Sequence, residues 1–174
     1  SMQQTTFNEV YDRHVRMVYN LCMNYLHNPQ DAEEATQDVF MKVHEGLSKF
    51  RGEAAVRTWI YRVAINTSLD HIKARKRKKR SFLGRLGLVD DHVDRLSGSE
   101  FDHPGVALEN KEATAKIFEC IDRLPSQQRT ALLLKATEGM GQMEIAEVMG
   151  VTVKSAEALL ARGKQKLKQD LTKD

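Results

Sequence analysis

Apolar residues recur every three or four positions over most of the first 80 residues, which is the period of helices with one buried face. The first stretch covers 7–26 and is expected to end at the His-Asn-Pro that follows. A second stripe covers 31–47, with acidic residues at its start where the helix dipole favours them. A third runs from about 56–76, after a break at Gly52. The pattern predicts three helices in this part of the chain.

The helical pattern is lost after Arg80. The stretch that follows, SFLGRLGLVDDHVDRLSGSEFDHPG, holds four of the ten glycines, one proline and several acidic residues. Such a composition is typical of a flexible linker, which we assign to 81–107. Apolar periodicity resumes near Leu108. We therefore predict two small helical domains, 2–80 and 108–174, joined by an acidic tether.

Composition supports an all-α fold. Hydrophobic residues make up 41% of the chain and can form a core, whereas aromatic residues make up only 6%. A β-sandwich or barrel would need more aromatic and β-branched strand residues. We expect an all-helical protein.

The C-terminal segment GQMEIAEVMGVTVKSAEALLARGKQKLKQDL has the pattern of a helix-turn-helix. Gly150 suits the tight turn and Thr152 is a good N-cap for the second helix. We expect an inward face on that helix and an outward face that is partly basic; the inward residues are Val153, Ala156, Leu159 and Leu160. In such a unit the second helix lies in a DNA major groove. The alternative is an ordinary helical hairpin with a solvated basic face.

The third helix carries the only tryptophan, Trp59, and the densest basic run. Seven of the eight residues from 73 to 80 are lysine or arginine. Arg62, Asn66 and Asp70 stand four residues apart and are expected to share one exposed stripe. A polar stripe beside an aromatic ring suits single-stranded nucleic acid, and basic residues attract phosphates. The alternatives are a core tryptophan and a solvated helix end.

The net charge of +3 is small, but positive and negative residues are segregated, which suggests separate surfaces for separate partners. The two cysteines are far apart, and the six histidines show no metal-ligand spacing. We expect no metal, no cofactor and no enzymatic activity, because no nucleophile or phosphate-loop motif is found. No apolar run approaches membrane-spanning length and no signal peptide is visible, so we expect a cytoplasmic protein without membrane insertion.

Several motifs occur in an order that resembles the bacterial extracytoplasmic-function sigma factors of the sigma-70 family. The first motif is NPQDAEEATQDVF and the second is FRGEAAVRTWIYRVAINTSLDHIKARKR. The third follows the acidic linker and is RLPSQQRTALLLKATEGMGQMEIAEVMGVTVKSAEALLARGKQKL. The resemblance covers nearly the whole chain. It implies a dissociable subunit that binds core RNA polymerase, on the largest-subunit coiled coil and the β flap. It also implies binding of promoter DNA and an anti-sigma partner.

The resemblance implies three sets of site residues. Those that would face the polymerase are Asp31, Glu34, Gln37, Asp38 and Phe40. Those that would read the −10 element as an opened strand with a flipped base, or hold its backbone, are Phe50, Arg51, Trp59, Arg62, Asn66, Asp70, Lys73, Arg75, Lys76 and Arg77. Those that would bind the −35 element as duplex are Thr152, Lys154, Ser155, Glu157, Ala158, Arg162, Lys164 and Lys166.

The recognition helix departs from the family pattern. Where many members have a sequence like TVKSRLHRAR, this chain has SAEALLARGK, with Glu157 and Leu159 where basic residues are common. The preferred −35 sequence therefore does not follow from the resemblance. The alternative function is a stand-alone helix-turn-helix regulator, which would bind duplex as a dimer on half-sites about one helical turn apart. Such a regulator has no need of the stripe from Trp59 to Asp70.

Overall fold

The computed structural model describes residues 6–88 and 110–173, and the regular structure within those ranges is entirely helical. Seven α-helices follow one another: α1 (Phe7–Leu26), α2 (Pro29–Gly46), α3 (Glu53–Arg85), α4 (Lys111–Asp122), α5 (Ser126–Ala136), α6 (Gln142–Met149) and α7 (Val153–Leu171). A short 3₁₀ helix, Leu47–Lys49, follows α2. The all-α prediction is confirmed. None of the described helices combines the length and apolar character needed to cross a lipid bilayer.

Local signals set the boundary between α1 and α2. The backbone N–H of His27 donates to the carbonyl of Met23 (2.8 Å), and His27 has a left-handed conformation with φ of 66°. Asn28 is the N-cap of α2, because its side chain accepts from the backbone N–H of Asp31 at 2.8 Å. Pro29 fits the first helical position, where no intrahelical donor is needed. Helix α2 therefore begins two residues earlier than predicted, and Asp31 lies in its first turn.

Helix α3 is longer than the sequence pattern indicates. It starts at Glu53, after Gly52 with φ of 87°, and continues five residues beyond the predicted limit at Arg80. Gly84 does not end it, since a single glycine in a helix costs only about 1 kcal/mol. The helix ends at Arg85, and Gly87, with φ of 72°, turns the chain so that the N–H of Leu88 donates to the carbonyl of Leu83 (2.8 Å). The predicted linker therefore starts later than 81, and its 89–107 part lies outside the described residues.

The N-terminal half, α1 to α3, is a three-helix bundle in which each helix packs on the other two. Its centre is formed by fully buried side chains at helical spacing on all three helices: Val18, Leu21, Tyr25, Leu26, Val39, Val43 and Ile60. Cys22 is buried as predicted, and its sulfur accepts from the Ser68 hydroxyl at 3.4 Å.

The C-terminal half is arranged around α7, which packs on α4, α5 and α6. Gly163 allows α7 to approach α5, because a β-carbon there would lie 3.0 Å from Leu132 Cδ1. The turn between α6 and α7 uses Gly150, with φ of 68°, and the Thr152 hydroxyl accepts from the N–H of Ser155 at 3.0 Å. The helix-turn-helix geometry is as predicted. The inward assignment of Val153 is wrong: its side chain is 41% exposed at the first position of α7.

The two halves contact each other, and one cluster of buried apolar residues includes members of both. A polar network joins the end of α1 to α4 and α5. The Nε2 of His27 lies 2.8 Å from the Asp122 carboxylate, and Arg129 donates to that carboxylate at 2.7 Å and to the carbonyl of Tyr25 at 3.1 Å. The hydroxyls of Tyr25 and Thr130 lie 2.6 Å apart. These partners are buried or half-buried, so the network is shielded from water.

Candidate nucleic-acid interface

The predicted polar stripe is present on α3. Arg62, Asn66 and Asp70 are exposed at successive four-residue steps. They are separated by buried residues such as Ala64, Ile65 and Ser68, which face the bundle. Their exposure follows from the amphipathic pattern of the central part of α3. The stripe therefore presents a guanidinium, an amide and a carboxylate along one line.

An aromatic pair lies at the start of this stripe. The rings of Phe50 and Trp59 are stacked, with centroids 4.2 Å apart and an interplanar angle of 15°. Both side chains are half-buried and pack against the core. The indole also lies over Gly46, where a β-carbon would come within 2.8 Å of Trp59 Cζ2. Trp59 is thus both a packing residue and part of an aromatic surface that is open to solvent.

Arg62 makes specific contacts with the other half of the molecule. Its Nε donates to the carbonyl of Val148 at 2.9 Å, and its NH2 group donates to the carbonyl of Glu147 at 2.6 Å. Both are among the last four carbonyls of α6, where the regular helical hydrogen bonds run out; the Glu147 carbonyl also accepts from the N–H of Gly150 at 3.3 Å. A cation is favourable there, because the helix C-terminus carries partial negative charge. Arg62 therefore caps α6.

The basic run divides into exposed and engaged residues. Arg51, Lys73, Lys76 and Arg77 are exposed. Arg75 is half-buried, and its NH2 group donates to the Asp31 carboxylate and to the carbonyl of Leu26 at 3.2 Å. Its contacts hold α3 against the turn between α1 and α2, so Arg75 has a packing role in addition to its charge.

The predicted −35 residues lie near the start of α7 and along its outer side. The exposed ones are Thr152, Lys154, Glu157, Arg162, Lys164 and Lys166, while Ser155 and Ala158 are half-buried. The Thr152 hydroxyl caps the helix, which fixes its orientation. The Nζ of Lys166 lies 3.9 Å from the Asp170 carboxylate, a contact of one helical turn at the surface. The outer side of α7 is therefore a mainly basic surface.

The acidic residues of α2 lie beside a groove between α2 and α3. Glu34 and Gln37 are exposed, whereas Asp38 is half-buried and its carboxylate lies 2.6 Å from His71 Nε2. The groove is lined on its α2 side by Asp31, Glu34, Asp38, Met41, Lys42 and Glu45. Met41 is 64% exposed, which adds an apolar position to this acidic surface.

Phe40 does not lie on that surface. Its side chain is only 5% exposed and packs edge-on against Tyr11 (4.8 Å between ring centroids) and Phe7 (6.4 Å). The expectation that Phe40 faces a partner is therefore wrong, because the ring is used to pack α2 against α1.

Sequence reasoning missed four residues that join α3 to the C-terminal half. Arg57 pairs with Glu144 of α6, and its guanidinium lies 5.0 Å from the centre of the Tyr61 ring. The Tyr61 hydroxyl donates to the Glu138 carboxylate at 3.1 Å. Burial raises the pKa of Tyr61 to about 12 and also raises the pKa of Glu138. No local pattern marks these residues, since each partner lies more than 70 positions away.

Within 6–88 and 110–173, no three His, Cys, Asp or Glu side chains are grouped as a metal ion would require.

Two family models match the chain. The model for sigma-70 region 2 matches residues 10–78, which include α2 and the stripe on α3. The model for sigma-70 region 4 matches residues 114–167, which include α6 and most of α7. Together the two matches cover most of the chain and correspond to its two halves.

Curated relatives are similar over nearly their whole length. The RNA polymerase sigma-H factor of Pseudomonas aeruginosa is 29% identical over 158 residues, covering 88% of this chain and 80% of the relative. The ECF RNA polymerase sigma factor SigW of Bacillus subtilis is 27% identical over 170 residues, covering 97% of this chain and 90% of the relative. The ECF RNA polymerase sigma-E factor of Escherichia coli K12 is 27% identical over 171 residues, covering 93% of this chain and 84% of the relative.

Solved structures share the fold. The structure of CnrH in complex with the cytosolic domain of CnrY gives a TM-score of 0.63 at 23% identity, covering 97% of this chain and 88% of that one. The sigma factor RpoE in complex with the anti-sigma factor NepR from Bartonella quintana gives a TM-score of 0.68 at 16% identity, covering 97% of this chain and 98% of that one. With the region 2 and region 4 matches in this order, the chain belongs to the sigma-70 family as an extracytoplasmic-function sigma factor.

Proposed function

We propose that this sigma factor directs core RNA polymerase to promoters by reading the −10 element as an opened strand and the −35 element as duplex. The observation that carries the proposal is the combination, in one chain, of the exposed Arg62–Asp70 stripe beside a stacked aromatic pair with a helix-turn-helix. A stand-alone regulator would need only the helix-turn-helix. The role requires no catalytic chemistry from the chain.

The −10 element is bound by α3 and the loop before it. Removing a base from its stack costs a few kcal/mol, which contacts in a protein pocket must offset. The Phe50 and Trp59 rings supply an apolar platform for a base, and each stacked base contributes about 1–3 kcal/mol. Arg62, Asn66 and Asp70 offer donors and acceptors to its Watson–Crick edge. Exposed basic residues hold the backbone; they are Arg51, Lys73, Lys76 and Arg77.

The −35 element is bound by α7 in the major groove. Residues near the start of the recognition helix contact base edges, and basic residues further along contact phosphates. The first group comprises Lys154, Ser155, Glu157 and Ala158, and the second comprises Arg162, Lys164 and Lys166. The Glu157 carboxylate accepts rather than donates, which suits the amino group of a cytosine.

Core polymerase is bound mainly through the acidic surface of α2, formed by Asp31, Glu34, Gln37 and Asp38. In the proposed complex this surface contacts the largest-subunit coiled coil, and the C-terminal half contacts the β flap. Binding to polymerase raises the effective concentration of each weak DNA contact. Two small DNA-binding surfaces therefore suffice for promoter selection.

An anti-sigma protein is a further proposed partner. It is supported by the two structural neighbours, RpoE in complex with an anti-sigma factor and CnrH in complex with the cytosolic domain of CnrY. The groove between α2 and α3, acidic on its α2 side and lined by Arg75, Arg77 and Lys78 on its α3 side, suits such a regulator, because occupying it would also block polymerase.

Trp59→Ala tests the proposed −10 role. The variant should bind core polymerase nearly as well as wild type but open promoter DNA poorly, since the base loses its stacking partner. Co-elution with core measures the first property, and permanganate reactivity of unpaired thymines measures the second. Loss of both together would mean that Trp59 serves only the fold, and retention of both would remove it from the −10 site.

A further inference from the structure

The C-terminal end of α3 has a dense positive charge. Between 73 and 88 the chain has eight lysine or arginine residues and no acidic residue. Six of the eight are exposed. Among the described hydrogen bonds, Arg75 is the last residue of α3 that donates to another helix. The helix end beyond it therefore presents a strongly positive surface.

An apolar patch lies at the end of this basic run. Its members are Phe82, Leu86 and Leu88, which are 57%, 56% and 58% exposed. None of them belongs to the described core cluster. Leu83 is buried and is not part of the patch. Exposed apolar residues that cluster beside charged ones are typical of an interaction site.

Basic residues flank the patch on the same side of the helix. Phe82 and Leu86 stand one helical turn apart. Lys78 lies four residues before Phe82 and Arg85 lies three residues after it, so both are its neighbours on the helix surface. Both are exposed. Their aliphatic stems can lie along an apolar surface while the charges stay in a polar layer.

An anionic bilayer is complementary to both features of this helix end. Its headgroups attract clusters of about four to eight lysine and arginine residues on a helix. The boundary between headgroups and acyl chains accepts Phe and Leu side chains from a helix that lies in the membrane plane. Nucleic acid offers phosphates but has no hydrocarbon layer for Leu86 and Leu88. The combination favours a bilayer surface over DNA.

We infer that the end of α3, residues 73–88, binds the surface of a bilayer that contains anionic phospholipid, with the apolar patch inserted at the headgroup boundary. The helix lies on the bilayer and does not cross it. This interaction is separate from the proposed promoter recognition. Because Lys73, Lys76 and Arg77 also belong to the proposed −10 set, a bilayer and promoter DNA would compete for the same basic residues.

The first test measures binding of the full-length chain to large unilamellar vesicles by co-sedimentation. The chain should bind vesicles that contain phosphatidylglycerol and should not bind vesicles of phosphatidylcholine alone. Binding should weaken as the salt concentration rises, because salt screens the attraction of exposed charges. Absence of binding to phosphatidylglycerol vesicles at low salt would overturn the inference, and so would equal binding to the two kinds of vesicle.

Two double variants separate the apolar contribution from the charge contribution. Phe82→Ser with Leu86→Ser keeps every charge and should lower the partition coefficient about tenfold, because less apolar surface leaves water. Lys78→Gln with Arg85→Gln keeps the patch, and each lost charge should lower the partition coefficient about fivefold at low salt. Met143→Ser is the matched control, since Met143 is 78% exposed on α6 and lies outside the patch. Wild-type binding by the serine double variant would exclude insertion of the patch.

The second test measures whether the patch enters the bilayer. Leu88→Cys offers an exposed thiol for an environment-sensitive fluorophore, and both native cysteines are buried. Burial raises the pKa of the Cys22 thiol, which disfavours its labelling. On addition of phosphatidylglycerol vesicles, the emission at 88 should shift to the blue and be quenched by nitroxides on the lipid chains. Met143→Cys with the same label should show neither change. An unshifted emission at 88 in vesicle-bound protein would contradict insertion.

A single-stranded oligonucleotide tests nucleic acid as the partner of the patch. Phe82→Ser with Leu86→Ser should bind the oligonucleotide as tightly as wild type, because phosphates need only the basic residues. A loss of affinity as large as the loss on vesicles would assign the patch to nucleic acid and overturn the bilayer assignment.

The vesicle measurements are independent of the proposed function, because they need neither polymerase nor promoter. A chain that directs transcription but does not bind vesicles would refute only the bilayer inference. A chain that binds vesicles through the patch but directs no transcription would refute only the proposed function.

Discussion

At the residue scale, a glycine determines where the only tryptophan lies. Gly46 ends α2 with ordinary negative φ, so no backbone strain requires glycine there. The requirement is steric, because the Trp59 indole fills the space that a β-carbon would take. The stacked pair with Phe50 is thereby held at the edge of the core, where one aromatic surface stays open to solvent.

Gly46→Ala should displace the indole and destabilise the chain by about 1–3 kcal/mol, as overpacking of a well-packed site usually does. Urea unfolding measures the free energy, and the emission of the only tryptophan reports its changed surroundings. Gly141→Ala is the matched control, because a β-carbon there meets nothing within 4 Å and φ is −77°; as the N-cap of α6 it should cost no more than about 1 kcal/mol. Equal stability of the Gly46 variant and the control would show that the contact with Trp59 is not tight in solution.

Glu138 gives a residue-scale prediction of pH dependence. Burial raises the pKa of this carboxyl above its ordinary 4.5. The hydrogen bond from Tyr61 lowers the pKa but offsets only part of the increase caused by burial. The folded chain therefore binds the proton more tightly than the unfolded chain. The stability contributed by Glu138 is fully present below pH 4.5 and is lost as the pH rises through the folded-state pKa.

Glu138→Gln should thus raise the free energy of unfolding at pH 7, and the gain over wild type should disappear near pH 4. Urea unfolding at the two pH values measures it. Glu33→Gln removes one charge at an exposed position of α2 and should show no such gain. A loss of stability at pH 7 would mean that the Tyr61 hydrogen bond outweighs the cost of burying the charge.

At the element scale, helix starts and turns were largely predictable because their causes are local. The break at Gly52, the turn at Gly150 and the cap at Thr152 each depend on one residue's conformation or side chain. The end of α3 was mispredicted because the apolar spacing fails after Arg80 and the glycines that follow, Gly84 and Gly87, look alike in sequence. Only Gly87 has the left-handed conformation, and it lies beyond Leu83, which is 7% exposed.

The outer side of α7 supports an element-scale prediction. Arg162→Ala should weaken −35 duplex binding by the polymerase complex and make its dependence on salt shallower by about one phosphate contact. Arg123→Ala at the end of α4 removes the same charge and should leave the salt slope unchanged, since Arg123 pairs with Glu119 within its own helical turn. A wild-type slope for Arg162→Ala would exclude a phosphate contact at that residue.

At the scale of the whole molecule, the sequence predicted two helical halves but not how they pack. The amphipathic stripes were sufficient to assign α1 to α3 and the helix-turn-helix, and to expose Arg62, Asn66 and Asp70. The contacts of Arg62 and Arg129 with the opposite half join residues 85 to 104 positions apart. Such pairing depends on the tertiary arrangement and has no local pattern.

Phe40 shows the same limit within a single helix. The family resemblance implied that Phe40 faces the polymerase, but its packing against Tyr11 depends on where α1 lies. Sequence reasoning identified the element that carries the acidic surface, and the packing of its neighbours determined which side chains remain on it.

The central claim is that this chain gives core polymerase its promoter specificity. The most direct measurement adds the full-length chain to sigma-free bacterial core polymerase with a library of promoter fragments and maps the 5′ ends of the transcripts. We predict discrete starts that share two upstream motifs, near −10 and −35. Absence of stimulated starts, together with sequence-specific duplex binding by the free chain alone, would contradict the account and favour a stand-alone regulator.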